Sequence, residues 1–93
     1  MINAFVLIKA RPDAIAELGP ALAAIEGVRE AHSVAGSETD LLVIVTVADH
    51  GAIADVVTEK IVKVDGVLDT RTMIAFRSFS DSQLEAGYEG FGD

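Results

Sequence analysis

Apolar and β-branched residues predict four strands in this chain. Residues 2–10 and 41–47 are mainly apolar runs, as is typical of strands buried in a sheet. Residues 28–35 and 67–76 are more mixed runs, each opened by a valine after a glycine, and predict the other two strands. Arg11-Pro12 ends the first run, and the polar residues 36–40 between the second and third runs predict the turn of a hairpin.

Apolar residues at helical spacing occupy the two remaining intervals and predict two helices. The first helix begins at Pro12 and ends before a capping Gly27, with a stripe formed by Ile15, Leu18, Leu22 and Ile25. Gly19-Pro20 falls inside this stripe and predicts a kink or a free backbone carbonyl. Asp49 is predicted to cap the second helix, whose stripe is Ile53, Val56/Val57, Lys60/Ile61 and Val64.

A four-residue pattern recurs where each predicted helix ends. Residues 25–28 (Ile-Glu-Gly-Val) and 64–67 (Val-Asp-Gly-Val) both place a glycine after a helix and a valine at the start of a strand. The element order is therefore βαββαβ, built from two βαβ halves. This order predicts a ferredoxin-like α+β fold, in which two helices cover one face of a four-stranded antiparallel sheet.

The two strands that are central in such a sheet are apolar at consecutive positions. They carry Phe5-Val6-Leu7-Ile8 and Leu41-Leu42-Val43-Ile44-Val45. A sheet face left in water would instead alternate apolar and polar residues. We therefore expect the second face to be covered by pairing with another sheet in an obligate homo-oligomer. The alternative is that these strands remain partly exposed.

Composition and charge restrict the classes of function. The chain has 93 residues, enough for one domain, with a formal net charge of −8 from 7 basic and 15 acidic residues. Scattered cations argue against direct nucleic-acid binding. The absence of cysteine excludes disulfides and thiolate chemistry. No basic leader and no long apolar run is evident, so we expect a cytoplasmic protein without membrane contact.

The segment between the second and third strands is the main candidate for ligand binding. Gly36 permits unusual backbone conformations, Ser37 and Thr39 supply hydroxyls, and Asp40 supplies a carboxylate. Such a loop suits a zwitterion, with N–H and hydroxyl donors for its carboxylate and Asp40 for its ammonium. Ordinary hairpin chemistry explains the same residues.

Few other residues are candidates for ligand binding, catalysis or metal binding. Thr70 and Thr72 share one face of the fourth strand and offer hydroxyls to a ligand, although strands favour threonine in any case. The chain contains two histidines, His32 and His50, and neither has the spacing of a metal site. We therefore predict no catalytic residue, no metal ligand and no cofactor.

Three segments in order carry a family resemblance. They are residues 4–9, the hairpin Val34-x-Gly36-x-x-Asp40-Leu41-Leu42, and Gly66-Val67-x-x-Thr70-x-Thr72. Together they resemble the ligand-binding (RAM) domain of the Lrp/AsnC family of feast/famine transcriptional regulators. The resemblance covers about residues 2–79 and is greatest for stand-alone members, which lack the helix-turn-helix domain and carry a short C-terminal extension.

The resemblance implies an oligomeric module that senses amino acids. Dimers would pair through their sheets as a dimeric α+β barrel and assemble into an octamer or decamer. An amino acid or related effector would bind between dimers, at positions Gly36, Ser37, Glu38, Thr39, Asp40, Thr70 and Thr72. Without a DNA-binding domain, any effect on transcription would be indirect, including through a full-length Lrp/AsnC relative.

Two other functions remain open at this stage. Small cofactorless monooxygenases and haem-degrading enzymes share the dimeric α+β barrel, and they would need a polar cluster between helices and sheet. Here the candidates for such a cluster are His32, Asn3 and Tyr88. A purely structural oligomerisation domain is the other alternative. We expect a ligand-binding domain over residues 1–79, followed by an extension, residues 80–93, that either frays or forms a short docking helix.

Overall fold

The computed structural model describes residues 1–79 as a four-stranded antiparallel sheet with two helices on one face. The strands are β1 (Ile2–Ala10), β2 (Val28–Ser33), β3 (Leu41–Val47) and β4 (Val67–Ile74). Their order across the sheet is β2-β3-β1-β4. The predicted ferredoxin-like α+β fold is therefore confirmed, with β1 and β3 at the centre. The predicted C-terminal extension lies outside the described residues.

The first helical segment has the predicted apolar stripe, but its first turn is not α-helical. Pro12–Ala14 forms a short 3₁₀ turn, and α1 then covers Ile15–Ala23. The helix runs through Pro20 and buries Leu18 and Leu22 against the sheet. Tertiary packing of this apolar face outweighs the local preference of proline to end a helix.

The second helical segment begins as predicted and then widens. Asp49 accepts a hydrogen bond of 2.8 Å from the Ala52 N–H and so caps α2 (His50–Ala54). The chain continues without a break as a π-helix over Asp55–Ile61. Its last turn includes an i→i+5 hydrogen bond of 3.0 Å from the Val62 N–H to the Val57 carbonyl. This wider turn brings Val56 and Ile61 to the same buried face.

The core lies between the helices and one face of the sheet. Alternate residues of the central strands point into it, as their period of two requires. Among residues 1–79, every fully buried side chain is apolar. The buried strand residues are Ala4, Val6, Ile8, Ala10, Leu41, Val43, Val45 and Val47.

Two strands end earlier than the sequence predicts. β2 stops at Ser33 because the chain turns into the hairpin loop, where Gly36 adopts a φ of +122°. β4 stops at Ile74, which pairs with Ala4, and one more hydrogen bond follows, from the Ala75 N–H to the Asn3 carbonyl at 2.9 Å. Phe76, which was expected in the strand, is 98% exposed.

The recurring four-residue pattern produces two equivalent turns. The Val28 N–H donates to the Ile25 carbonyl at 3.0 Å, and the Val67 N–H donates to the Val64 carbonyl at 3.2 Å. Gly27 and Gly66, the glycines of these turns, have φ values of +98° and +100°. Each glycine therefore lets the chain leave a helix and enter a strand in the left-handed conformation that other residues resist.

Candidate functional site

The hairpin loop between β2 and β3 holds side-chain-bearing residues in an unusual backbone conformation. The Thr39 N–H donates to the Gly36 carbonyl at 3.0 Å and closes a four-residue turn. Ser37 and Glu38, the central residues, have φ values of +53° and +55°, as in a type I′ turn. Such turns favour asparagine and glycine. Two residues with Cβ atoms there place strain of about 1–2 kcal/mol each in this loop.

Asp40 connects this loop to β1 through two hydrogen bonds. Its backbone N–H donates to the Ile8 carbonyl at 2.9 Å, and its carboxylate accepts a 2.8 Å hydrogen bond from the Ala10 N–H. The pairing of β1 with β4 shifts register between Lys9 and Ala10, so this carboxylate satisfies a backbone donor beside an irregularity. Asp40 was predicted to bind a ligand ammonium, and the structure adds an anchoring role that involves one carboxylate oxygen.

The loop borders a small polar groove on the sheet face that carries no helices. Its cavity volume is about 50 Å³, enough for a few water molecules or part of a small ligand. The loop contributes Ser37, Glu38 and Thr39. The sheet contributes Leu7 and Lys9 from β1 and Asp69 and Arg71 from β4. Two cations and two anions therefore surround one depression.

Three of the seven predicted site residues line this groove, and the two threonines of β4 do not. Thr70 and Thr72 pair in register with Ile8 and Val6, which are buried on the helix side of the sheet. Directly opposed residues of an antiparallel pair share a face. Thr70 and Thr72 thus lie on the opposite side of the sheet from the groove, and one chain does not bring them together with Ser37.

Sequence reasoning missed the four groove residues that come from the strands. The relevant signal is the period of two, which places Leu7 and Lys9 on one face of β1 and Asp69 and Arg71 on one face of β4. The register sets Lys9 opposite Asp69 and Leu7 opposite Arg71. That register depends on the long-range pairing of the first and last strands.

The charged groups next to the groove differ in how they are paired. Arg11, just after β1, hydrogen-bonds Asp65 at 3.3 Å and Asp13 at 2.6 Å. These two contacts, with Asp65 the larger cause, raise the pKa of Arg11 above its ordinary value. By contrast, Lys9 and Arg71 have no ion-pair partner within residues 1–79.

The polar residues considered for an enzyme do not form a cluster. His32 Nε2 lies 2.8 Å from Glu30 Oε1 on the edge strand, and the Asn3 side chain accepts a 2.8 Å hydrogen bond from Thr46. Strand geometry puts Asn3 and His32 roughly 16 Å apart on the open sheet face. Tyr88 lies outside the described residues. Within residues 1–79, no three potential ligand side chains are grouped for a metal ion, and the space between helices and sheet is apolar.

Comparison with known proteins identifies the family. The profile described as "Lrp/AsnC ligand binding domain" matches residues 3–84. The chain belongs to the Lrp/AsnC ligand-binding domain family. This result agrees with the resemblance seen in the hairpin and in the Thr-x-Thr strand.

Similar proteins of this Lrp/AsnC family include regulators and solved domains. An uncharacterized HTH-type transcriptional regulator of Pyrococcus furiosus is 41% identical over 77 residues, which are 80% of this chain and 51% of that protein. The structure of TTHA0845 from Thermus thermophilus is 41% identical, with a TM-score of 0.80, over 86% of this chain and 99% of that one. The chain thus spans about half the length of the curated relative it matches.

A third relative has a ligand in its crystal structure. The feast or famine regulatory protein Rv3291c of M. tuberculosis, complexed with L-methionine, is 30% identical with a TM-score of 0.71. The match covers 87% of this chain and 54% of that one. Within residues 1–79 of the present chain, no helix combines the length and apolar character needed to cross a membrane.

Proposed function

We propose that this Lrp/AsnC domain is a non-catalytic regulatory module that binds an amino acid or a similar small effector at the hairpin loop and the adjoining groove. The observation that carries this proposal is the strained turn at Ser37 and Glu38, which Asp40 holds against β1 beside a polar depression. Strained backbone persists where the surroundings impose it, and such positions concentrate at ligand clamps and switch regions.

Relatives support the class of ligand. The M. tuberculosis feast or famine protein was crystallised with L-methionine and shares the fold and 30% of aligned residues with this chain. An α-amino acid carries one carboxylate and one ammonium. The groove offers Lys9 and Arg71 to the first group and Glu38 and Asp69 to the second.

The threonines of β4 take part in the proposed site only if two chains meet. Because Thr70 and Thr72 lie on the opposite face from Ser37 and Glu38, one chain alone does not contact an effector with both sets. We propose that the loop of one dimer approaches β4 of a neighbouring dimer. The effector then binds between dimers and favours their association, because a ligand stabilises the state to which it binds.

The proposed dimer forms through the sheet face opposite the helices. Phe5 lies in register between Ile44 and Met73, and Leu42 lies beside Leu7, so half-buried apolar side chains adjoin across β3, β1 and β4. Pairing of two such faces removes this surface from water, as in a dimeric α+β barrel. We propose that the dimers assemble further into an octamer or decamer.

The proposed action on transcription is indirect. A net charge of −8 and scattered cations disfavour binding of DNA by this domain itself. Association with a full-length Lrp/AsnC relative provides one route, because relatives of this fold include HTH-type regulators. We propose residues 1–79 as the effector-binding domain and residues 80–93 as an extension to it.

A thermal-shift screen against the twenty amino acids tests the proposal. At about 100-fold excess over its Kd, a ligand of the native state adds roughly 2.7 kcal/mol of stability, which raises the Tm clearly. A rise with one or a few amino acids supports the sensor and identifies the effector. A flat response to all twenty overturns the amino-acid effector and favours either a ligand that is not an amino acid or a purely structural oligomerisation domain.

A further inference from the structure

The phenylalanines of residues 1–79 lie outside the core. This part of the chain contains Phe5, Phe76 and Phe79 but no tyrosine or tryptophan, and every fully buried side chain in it is aliphatic. Phe5 is half-buried on the open sheet face, whereas Phe76 is 98% exposed and Phe79 is 84% exposed. Aromatic side chains are enriched in the cores of protein interfaces and among the residues that contribute most binding energy. Their placement here therefore indicates a surface that a partner covers.

We infer that residues 75–79 form an apolar arm that packs on the second chain of the sheet-face dimer. Phe76 and Phe79 of each chain are then buried at the margin of the other chain's open sheet face. This inference rests on the proposed dimer, because the arm needs a second chain to cover it. It goes beyond that dimer by assigning part of the binding energy to a segment outside the sheet.

The arm continues directly from the apolar part of the open sheet face. Met73 pairs in register with Phe5, and Phe5 pairs with Ile44, so one apolar row crosses β4, β1 and β3. The Ala75 N–H donates to the Asn3 carbonyl at 2.9 Å, so the backbone is held to the sheet up to this residue. The arm therefore begins at the margin of the surface that is proposed to meet the second chain.

The described part of the chain leaves the arm uncovered. The two helices pack mainly against β2 and β3, whereas β4 lies at the opposite edge of the sheet from β2. Within residues 71–79, Ala75 is half-buried and all the others are exposed. Burial of apolar surface drives most protein association, so a second chain that covers the arm gains stability. In a two-fold symmetric dimer each chain covers the arm of the other, and every arm contact occurs twice.

The charge of the domain favours a protein partner over a lipid surface. Anionic membrane surfaces attract clusters of basic residues. The chain has a net charge of −8, and Arg77 is the single basic residue in the arm. A second copy of this chain, which carries the matching apolar face, is therefore the occupant that we propose.

A tryptophan at position 76 reports whether the arm is covered. The chain contains no tryptophan, so Phe76→Trp introduces a single indole. Its fluorescence is measured in the native oligomer and in combination with Ile44→Glu, which places a charge in the apolar face and should give monomers. We expect a blue-shifted emission and slower quenching by acrylamide in the oligomer. Ala54→Trp, at an exposed helix position, is the matched control and should be quenched equally in both states.

The outcomes of this experiment separate the arm from the dimer itself. An indole at position 76 that is equally exposed in oligomer and monomer overturns the arm but leaves the sheet-face dimer intact. An indole that is shielded in the monomer shows that the chain covers its own arm, and this also overturns the inference. A native protein that sediments as a monomer overturns the proposed dimer together with the arm.

Polar substitutions measure how much the arm contributes to association. Phe76→Ser and Phe79→Ser should each weaken the dimer Kd about 100-fold or more, because each removes two buried phenyl groups from a symmetric dimer. Val62→Ser replaces another exposed apolar residue, which follows the π-helix and lies away from the sheet, and should leave the Kd unchanged. Sedimentation measures the Kd of each variant. An unchanged Kd in both arm variants overturns the inference.

Discussion

Ser37 and Glu38 are the residues at which local preference and the fold disagree most clearly. Both adopt a positive φ although both carry a side chain, and both are exposed. Ser37 and Glu38 line the groove, and both carry side chains at a position where glycine would be more stable. A stability–function conflict of this kind is expected at a binding site.

Replacement of Glu38 by glycine tests this strain. We expect Glu38→Gly to raise the free energy of unfolding by about 0.5–1 kcal/mol, since relief of the left-handed conformation exceeds the added entropy of the unfolded chain. Urea denaturation measures the change. Gly36→Ala is the matched control and should destabilise the domain, because Gly36 has a φ of +122°. No atom crowds its Cβ position, so this loss comes from the backbone conformation alone. An unchanged or lowered stability of Glu38→Gly contradicts the strain.

Asp40 provides a second test at the residue scale. Asp40→Ala leaves the N–H of the buried Ala10 without its acceptor, and we expect a loss of about 1–3 kcal/mol in the free energy of unfolding. Asp40→Asn keeps an acceptor oxygen and should lose less. Equal stability of both variants and the native protein, measured by urea denaturation, would show that the hydrogen bond contributes nothing to folding.

At the scale of elements, the two turns that follow the helices hold the halves of the domain together. A Cβ on Gly66 would lie 2.7 Å from the Cβ of Ala14, in the first helical segment. A Cβ on Gly27 would lie 2.8 Å from a methyl of Val56, in the second. Each glycine after one helix therefore packs against the other helix, and this explains why both turns need a residue without a side chain.

Alanine at two glycines of positive φ separates packing from backbone strain. We expect Gly66→Ala to destabilise the domain by about 2–4 kcal/mol, because a positive φ and a close contact with Ala14 add together. Gly36→Ala shares the positive φ but has no atom within 4 Å of the new Cβ, so it should cost only about 1 kcal/mol. Thermal unfolding compares the two. A similar change in both variants contradicts the packing argument.

The elements show which features a sequence pattern predicts and which it does not. β3 (Leu41–Val47) and the cap at Asp49 were predicted directly, because an apolar run and a side-chain cap are local signals. The π-helix Asp55–Ile61 was not predicted, because the apolar stripe of the second helix allowed either Lys60 or Ile61 to face the core. Packing against the sheet selects Ile61, which is fully buried.

The candidate site was predicted only where it is local in sequence. The hairpin loop was recognised from its own residues, whereas Lys9 and Arg71 reach the groove through the pairing of β1 with β4. Likewise, Asp40 meets Ala10 across 30 residues of chain. These long-range contacts depend on the register in which the strands pair. The register is set by the paired strands of the whole sheet, so the residues of one segment do not reveal it.

At the scale of the whole molecule, the open sheet face divides into two regions. Its middle is apolar, with Phe5, Leu42 and Ile44 half-buried and Met73 54% exposed. Its end near the hairpin loop carries the charged groove. One face therefore combines a surface suited to a second sheet with a polar site at its margin, so dimerisation and effector binding are proposed to occupy neighbouring areas.

A charge in the apolar region tests the proposed dimer. In a face-to-face dimer, Ile44→Glu would bury a carboxylate without a partner, at a cost of several kcal/mol, and should convert the native oligomer to monomers. Ala54→Glu adds the same charge at an exposed helix position and should leave the oligomer unchanged. Sedimentation equilibrium gives the mass of each variant, and circular dichroism checks that each remains folded.

The Tm of the native protein should also rise with its concentration, because association stabilises the folded chain. A native protein that sediments as a monomer, or an Ile44→Glu variant that keeps the native mass, contradicts assembly through this face.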